Sequence, residues 1–276
     1  MKFVTYLDTN GKPRPGVMKE DKVADLSSLG FEDVLSIIRA GKAGIEKAAA
    51  APATIENAKL AAPLANPPRI FGIGLNYHDH AIESNMAIPK TPVVFMKLAC
   101  GIIGPGQAIE LPSISTQPDY EAEFAIVIGK GGRNITDNWR DHIFGYTILN
   151  DVSARDVQLA TSQWTLGKSF PTFAPMGPAI VTADEIADPH ALDVKLEIDG
   201  ELLQNSNTRE LIFKAPELLR YISSITPLEP GDIISTGTPA GVGLGRTPQR
   251  WLKPGETVAI EIAGLGRLVN PVVAGV

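Results

Sequence analysis

The stretch Tyr120-Glu121-Ala122-Glu123-Phe124-Ala125-Ile126-Val127-Ile128-Gly129 decides the fold. Side chains alternate across a strand, so Glu121, Glu123, Ala125 and Val127 share one face, and Tyr120, Phe124, Ile126 and Ile128 share the other. Both faces turn apolar after Glu123, so the strand runs into a core. At its head stand two carboxylates about 7 Å apart, which repel one another and are costly to bury unless a divalent cation compensates. Taken alone, Glu-x-Glu also fits a solvated strand end.

A third carboxylate lies in Leu149-Asn150-Asp151-Val152-Ser153-Ala154-Arg155-Asp156. Asp151 closes an apolar strand and opens what reads as a helix, where the commonest use of an Asp is as an N-cap. As a metal ligand it would complete a set of three hard oxygen donors without any Cys. Such a set suits an octahedral site for Mg2+ or Mn2+, completed by water and substrate, better than Zn2+.

Outward from these motifs the chain reads as strands over 69–74, 93–97, 145–149, 194–199 and 258–262, with a hairpin turn at Asp199-Gly200. Helices are expected over 78–85, 137–143, 152–161 and 215–224. Strands outnumber helices without alternating with them, so the fold class is α+β, mainly β, rather than a doubly wound parallel sheet. The first residues read as hairpins around Asn10-Gly11. Helical spacing of Val34, Leu35, Ile37 and Ile38 follows, and then a second helix over 44–51. Pro63, Pro67 and Pro68 cannot extend a helix. The expected organisation is a small N-terminal α/β domain at 1–65 and a second domain at 69–276.

Composition narrows the function. The 276 residues are 44% hydrophobic and 20% charged, which is ordinary for a globular chain. A net charge of -6 without a dense basic block argues against nucleic acid or a membrane surface as partner. No long apolar segment stands out, so the expected location is cytoplasmic. The single cysteine, Cys100, excludes an internal disulfide and a thiolate cluster, and is expected to be small and buried. Gly167-Lys168-Ser169 lacks the earlier glycine of a phosphate-binding loop, since position 162 is Ser. His142 and His190 have no carboxylate or cysteine pattern around them and default to solvent-facing or capping roles.

Five motifs in order resemble the fumarylacetoacetate hydrolase superfamily: Gly74-Leu75-Asn76-Tyr77-His78-Asp79-His80, the Tyr-Glu-Ala-Glu strand, Asn150-Asp151-Val152-Ser153-Ala154-Arg155-Asp156, Gly167-Lys168-Ser169-Phe170 and Thr236-Gly237-Thr238-Pro239-Ala240-Gly241-Val242-Gly243. The resemblance covers roughly residues 69–276 and includes acylpyruvase-like and 2,4-dioxo-3-deoxy sugar acid hydrolase-like members. It implies a mixed β-sandwich roll, a homodimer, and Mg2+, Mn2+ or sometimes Ca2+. Glu121, Glu123 and Asp151 match the family's metal ligands, His80 and Glu83 its water-activating pair on a lid, and Lys168 its site lysine. Arg155, Gln158 and Thr238 match the residues that receive the substrate's carboxylate and oxo groups. The eponymous animal enzyme carries an additional Asp ligand where this chain has Asn76, so the three-carboxylate site of the shorter members is expected.

The expected reaction is metal-dependent hydrolysis of a carbon-carbon bond in a 2,4-dioxo acid, acylpyruvate-like, through a metal-bound enolate. On a helix, His80 and Glu83 are i and i+3 neighbours, so the carboxylate orients the imidazole for general-base work. The same site also suits an oxaloacetate-type decarboxylase or an enol-keto isomerase or hydratase of a 2-oxo-dienoate. A non-catalytic small-molecule-binding protein is the reading from another class, against which intact His80, Glu83 and Lys168 argue.

Overall fold

The computed structural model describes residues 1–83 and 87–275. Strand Ala122–Ile128 forms as the alternation dictates, and each of its faces feeds a different core. Phe124, Ile126 and Ile128 pack with Val194, Leu196, Ile260 and Ile262. Ala125 and Val127 pack with Phe3, Val17, Ile37 and Ile38. Each fully buried Ile or Phe contributes about 1.5–3 kcal/mol relative to exposure. A slip of one residue would exchange the faces and push Glu121 and Glu123 into the inter-sheet core, so the core residues fix the register that presents the carboxylates.

Around this strand, among the described residues, runs a mixed sheet in the order Ile55–Glu56, Lys22–Asp25, Pro13–Lys19, Lys2–Leu7, Ala174–Thr182, Ile143–Asn150, Ala122–Ile128, Ile233–Ser235, Ile70–Gly74, Val93–Lys97. A second sheet of Glu201–Asn207, Asp193–Ile198, Thr257–Ile262, Gly266–Ala274 and Ile109–Leu111 covers one face of the first. The other face carries helix Val34–Ala50. That helix opens on a capping box, in which Asp33 accepts from the Ser36 amide and Ser36 returns the bond. It breaks at Gly41, whose φ of 58° and ψ of -135° leave two helical stretches, as the two separate patterns predict.

Lys2–Leu7 pairs antiparallel with Ala174–Thr182, with Phe3 opposite Ile180. Residues on both sides of the Pro-rich 61–68 stretch therefore share one sheet and one core. No helix among the described residues is long and apolar enough to cross a membrane.

Helix Ala215–Ile225 matches the expected 215–224, with Pro216 in its first turn. The helix expected at 78–85 spans His78–Glu83; Ser84 and Asn85 lie outside the described residues. Two expected helices are shorter. Only Arg155–Gln158 is helical in 152–161, because Ser153–Ala154 spends its backbone pairing with Pro118–Asp119. Only a 3-10 turn, Trp139–His142, forms in 137–143. Cys100 is exposed, not buried. His142 is buried, with Nδ1 2.8 Å from the Lys130 carbonyl, whereas His190 accepts from the Ala215 amide at the start of helix Ala215–Ile225.

Candidate active site

Glu121 and Glu123 at the head of their strand meet Asp151, from the end of the antiparallel neighbour Ile143–Asn150. The three are buried, and a ligand oxygen from each lies within 4.8 Å of the others. Asp151 is not an N-cap: the chain continues into the short Ser153–Ala154 strand, and its carboxylate is held by two lysines. Lys97 Nζ donates to Oδ1 at 2.5 Å and Lys168 Nζ to Oδ2 at 2.8 Å. Lys168 also donates to Glu121 at 2.7 Å, and Lys97 to the Lys168 carbonyl.

Arg155 completes the cluster. Its Nη2 donates to Glu121 at 2.6 Å, its Nη1 to Gln158 Oε1 at 2.9 Å, and its Nε to the buried Asp119 at 2.8 Å. Burial opposes the charge on Glu121, but the Lys168 and Arg155 cations win and hold its carboxyl at about 2. Lys97 is pushed down by burial, which outweighs the support of Asp151, while in Lys168 burial is overcome by Asp151 and Glu121 and the ammonium is held above its ordinary range.

Glu123 differs. The Ser235 hydroxyl and the Gly237 amide donate to its Oε2, yet no lysine or arginine among the described residues bridges to it. Burial, with the charges of Asp151 and Glu121 added, pushes its carboxyl well above the usual range. The donor set thus lacks positive charge at Glu123, and three hard oxygens around that deficit suit a divalent cation of the Mg2+ or Mn2+ type.

Glu121, Glu123, Arg155 and Lys168 open on a cavity of about 670 Å3, lined also by His80, Glu83, Gln158 and Thr238; Asp151 is fully buried and does not line it. Leu75, with φ of 49°, turns strand Ile70–Gly74 into helix His78–Glu83. His80 Nδ1 faces Glu83 Oε2 at 3.3 Å, and the Gly241 amide donates to Glu83 Oε1 at 2.9 Å. Asp79 ties this helix to the second sheet by accepting from Ser206 Oγ at 2.6 Å. Aromatic rings form another wall: Phe95 lies under Lys168 Nζ at 5.1 Å and edge-on to Trp164 at 5.7 Å. Gly167, next to Lys168, has to be small because a Cβ there would stand 2.4 Å from the Gln158 backbone nitrogen.

One expected role is narrowed by the hydrogen bonds. The Thr238 hydroxyl donates to the Ala122 carbonyl at 3.0 Å and accepts from Gln204 at 2.9 Å, so its proton is already used. Asn76 is fully buried and braces the backbone through Phe213 and Thr236, next to Gly237, whose amide donates to Glu123.

Sequence reasoning missed Lys97 and Asp119. Asp119 shares the strand period with Glu121 and Glu123, which is a legible signal. Lys97 shares a face with the buried Phe95 in Val93–Lys97, and a lysine on an apolar face asks for a buried partner.

Residues 69–273 match the family described as fumarylacetoacetate (FAA) hydrolase, C-terminal. The chain belongs to the fumarylacetoacetate hydrolase superfamily. An oxaloacetate tautomerase, mitochondrial, of Xenopus laevis is 49% identical over 220 residues, 79% of this chain and 69% of that protein. The solved structure of a fumarylacetoacetate hydrolase from psychrophilic Exiguobacterium antarcticum superposes with a TM-score of 0.89 at 37% identity, covering 99% of each chain. That of maleylpyruvate hydrolase from Sphingobium sp. SYK-6, in complex with manganese (II) ion and pyruvate, gives 0.84 at 30% identity over 100% of each chain. This member of the superfamily is an enzyme whose relatives are named as hydrolases, isomerases and tautomerases.

Proposed function

We propose that this chain is a divalent-cation-dependent enzyme that moves a proton at the carbon beside the 2-oxo group of a small 2-oxo acid, interconverting enol and keto forms. The observation that carries this reading is that the His80–Glu83 pair opens on the same cavity as Glu121, Glu123 and Lys168. The 49% identity to an oxaloacetate tautomerase makes oxaloacetate the first substrate to test.

Glu121, Glu123 and Asp151 would hold Mg2+ or Mn2+, with Ca2+ acceptable to the same oxygens. Bound there, the cation supplies Lewis-acid polarisation of the 2-oxo group. Charge supports the match. Asp119, Glu121, Glu123 and Asp151 outnumber Lys97, Lys168 and Arg155 by one, so a doubly charged ion leaves one positive charge, the complement of one substrate carboxylate. Arg155 and Gln158 take that carboxylate and Thr238 shapes the wall beside it. With Nδ1 committed to Glu83, His80 Nε2 takes the C3 proton of the keto form and delivers it to the 2-oxygen to give the enol, or carries the enol O–H proton to C3 in the opposite direction, and Glu83 stabilises the imidazolium between the two transfers. Lys168 lowers the energy of negative charge developing on the substrate.

A second reading, hydrolysis of the C3–C4 bond of a 2,4-dioxo acid, is favoured by the cavity, whose volume of about 670 Å3 and apolar Leu159, Trp164 and Leu244 exceed what a four-carbon acid needs. Here His80 takes a proton from water and hydroxide adds to the C4 carbonyl. Cleavage then sends the C3–C4 electron pair into the enolate of a pyruvate-type product, and the other fragment leaves as an acid. Exposed Val93 and Val94 on the outermost strand of the main sheet support a homodimer as part of the proposal.

The test is to load the protein with Mg2+ or Mn2+ and follow enol decay of oxaloacetate alongside cleavage of an acylpyruvate. Metal-dependent tautomerisation supports the first reading, and cleavage the second. Turnover that persists in excess chelator would count against both.

A further inference from the structure

Three cationic side chains line the cavity: Arg155, Lys168 and Arg246. The first two are already neutralised, Arg155 by Asp119 and Glu121, and Lys168 by Glu121 and Asp151. Arg246 is held only by neutral oxygens. Its Nε donates to the Tyr120 hydroxyl and the Gly241 carbonyl, each at 3.2 Å, and its Nη2 to the Leu203 carbonyl at 2.6 Å. Among the described residues no carboxylate pairs with it, and the N–H groups on Nη1 have no acceptor. A guanidinium presents a planar fork suited to a carboxylate, so this one is a positioned and unspent anion receptor.

Its position is tied to the catalytic floor by a single buried group. Asp119 accepts the Gly243 amide at 2.7 Å and the Leu244 amide at 3.0 Å, and its Oδ2 also takes Arg155 Nε at 2.8 Å. One carboxylate thus fixes both the arginine beside Glu121 and the loop that carries Arg246. Receptors at two points of the cavity are set relative to each other before a substrate arrives, which lowers the ordering cost of binding.

We propose that Arg246 receives a second carboxylate, so that the site selects 2-oxo dicarboxylates over 2-oxo monocarboxylates; this rests on the reading of the site as one for 2-oxo acids. The cation-loaded cluster balances one carboxylate, and a second needs a further positive charge, which Arg246 supplies. Arg246 acts as a specificity residue and takes no part in proton transfer.

Binding of 2-oxoglutarate and of 2-oxopentanoate, which share a five-carbon skeleton and differ in the second carboxylate, tests this by calorimetry on the Mn2+-loaded protein. Wild type is expected to prefer the diacid by about 10- to 100-fold, the scale of charge-assisted hydrogen bonds. In Arg246→Met that ratio falls toward one, and in Arg246→Lys, which keeps charge but loses the fork, it falls part of the way. Equal weakening of both ligands, or no preference in wild type, overturns the proposal and leaves Arg246 a loop clasp. Should the Met variant fail to fold, the Lys variant makes the same comparison. A diacid preference that depends on Arg246 in a protein turning over neither oxaloacetate nor an acylpyruvate would sink the proposed function and leave this inference standing. Turnover with an unmoved ratio would do the reverse.

Discussion

Lys97 Nζ lies 2.5 Å from Asp151 Oδ1, and both side chains are fully shielded from solvent. The pair joins the outermost strand of the main sheet to the residue that ends its Ile143–Asn150 strand, so strand packing and the carboxylate trio are one structure. Removing one partner of a buried pair leaves the other uncompensated, at about 3–5 kcal/mol. Lys97→Met is expected to lower metal-free stability by that order. Added Mn2+ should recover more of the loss than it adds to wild type, because the ion replaces the missing charge beside Asp151. Equal metal-induced shifts in Tm for the two proteins would refute this coupling.

Glu121→Ala and Asp151→Ala each remove a buried oxygen donor and leave Lys168 short of a partner. Both should abolish high-affinity Mn2+ binding in calorimetry and all metal-dependent turnover. Either variant binding Mn2+ like wild type would remove that residue from the ligand set.

Glu123 gives a pH dependence. In the metal-free native state it keeps its proton well above 4.5, its ordinary value, near which the unfolded chain loses it. Over that window the native state binds more protons than the unfolded one, so metal-free stability falls as pH rises through it. A cation that displaces the proton should release about one proton per ion just above pH 4.5 and gain roughly tenfold in affinity per pH unit there. Calorimetry in two buffers of different ionisation enthalpy reads the release directly. An enthalpy that is the same in both buffers contradicts it.

His80→Ala and Glu83→Gln test the proton-transfer pair apart from the metal. Each should lower kcat by about 10²- to 10⁴-fold while leaving Mn2+ affinity within a factor of a few. Full activity in either variant would reassign the base.

Gly74→Ala addresses the aromatic wall. A Cβ at this position would lie 2.3 Å from Trp164 Cζ3, so the indole has to leave its place against Phe95. Overpacking of this kind costs about 1–3 kcal/mol. The variant should show an altered tryptophan emission and a raised KM, and an unchanged spectrum would place the adjustment elsewhere.

Much of the site was legible because it follows local rules. The period of two put Glu121 and Glu123 on one face, and the apolar run behind them fixed that face in place. The i, i+3 spacing brought His80 to Glu83 at 3.3 Å. What escaped depends on strands distant in sequence. Lys97 reaches Asp151 across 54 residues, and nothing near either residue announces the other. Propensity likewise overstated helix 152–161, since the backbone of Ser153–Ala154 is claimed by Pro118–Asp119. The Thr238 hydroxyl looked available for substrate until Ala122 and Gln204 were found to use it.

The pairing of Lys2–Leu7 with Ala174–Thr182 has a consequence beyond holding the amino-terminal hairpins in place. Stripped of that cover, the backbone of Ile180 and Val181 would lose its partner on that side, and an unpaired strand edge is a template on which another molecule can add itself. A chain trimmed to the family-matching residues 69–273 is therefore expected to self-associate more readily than the full 276 residues, as light scattering would show.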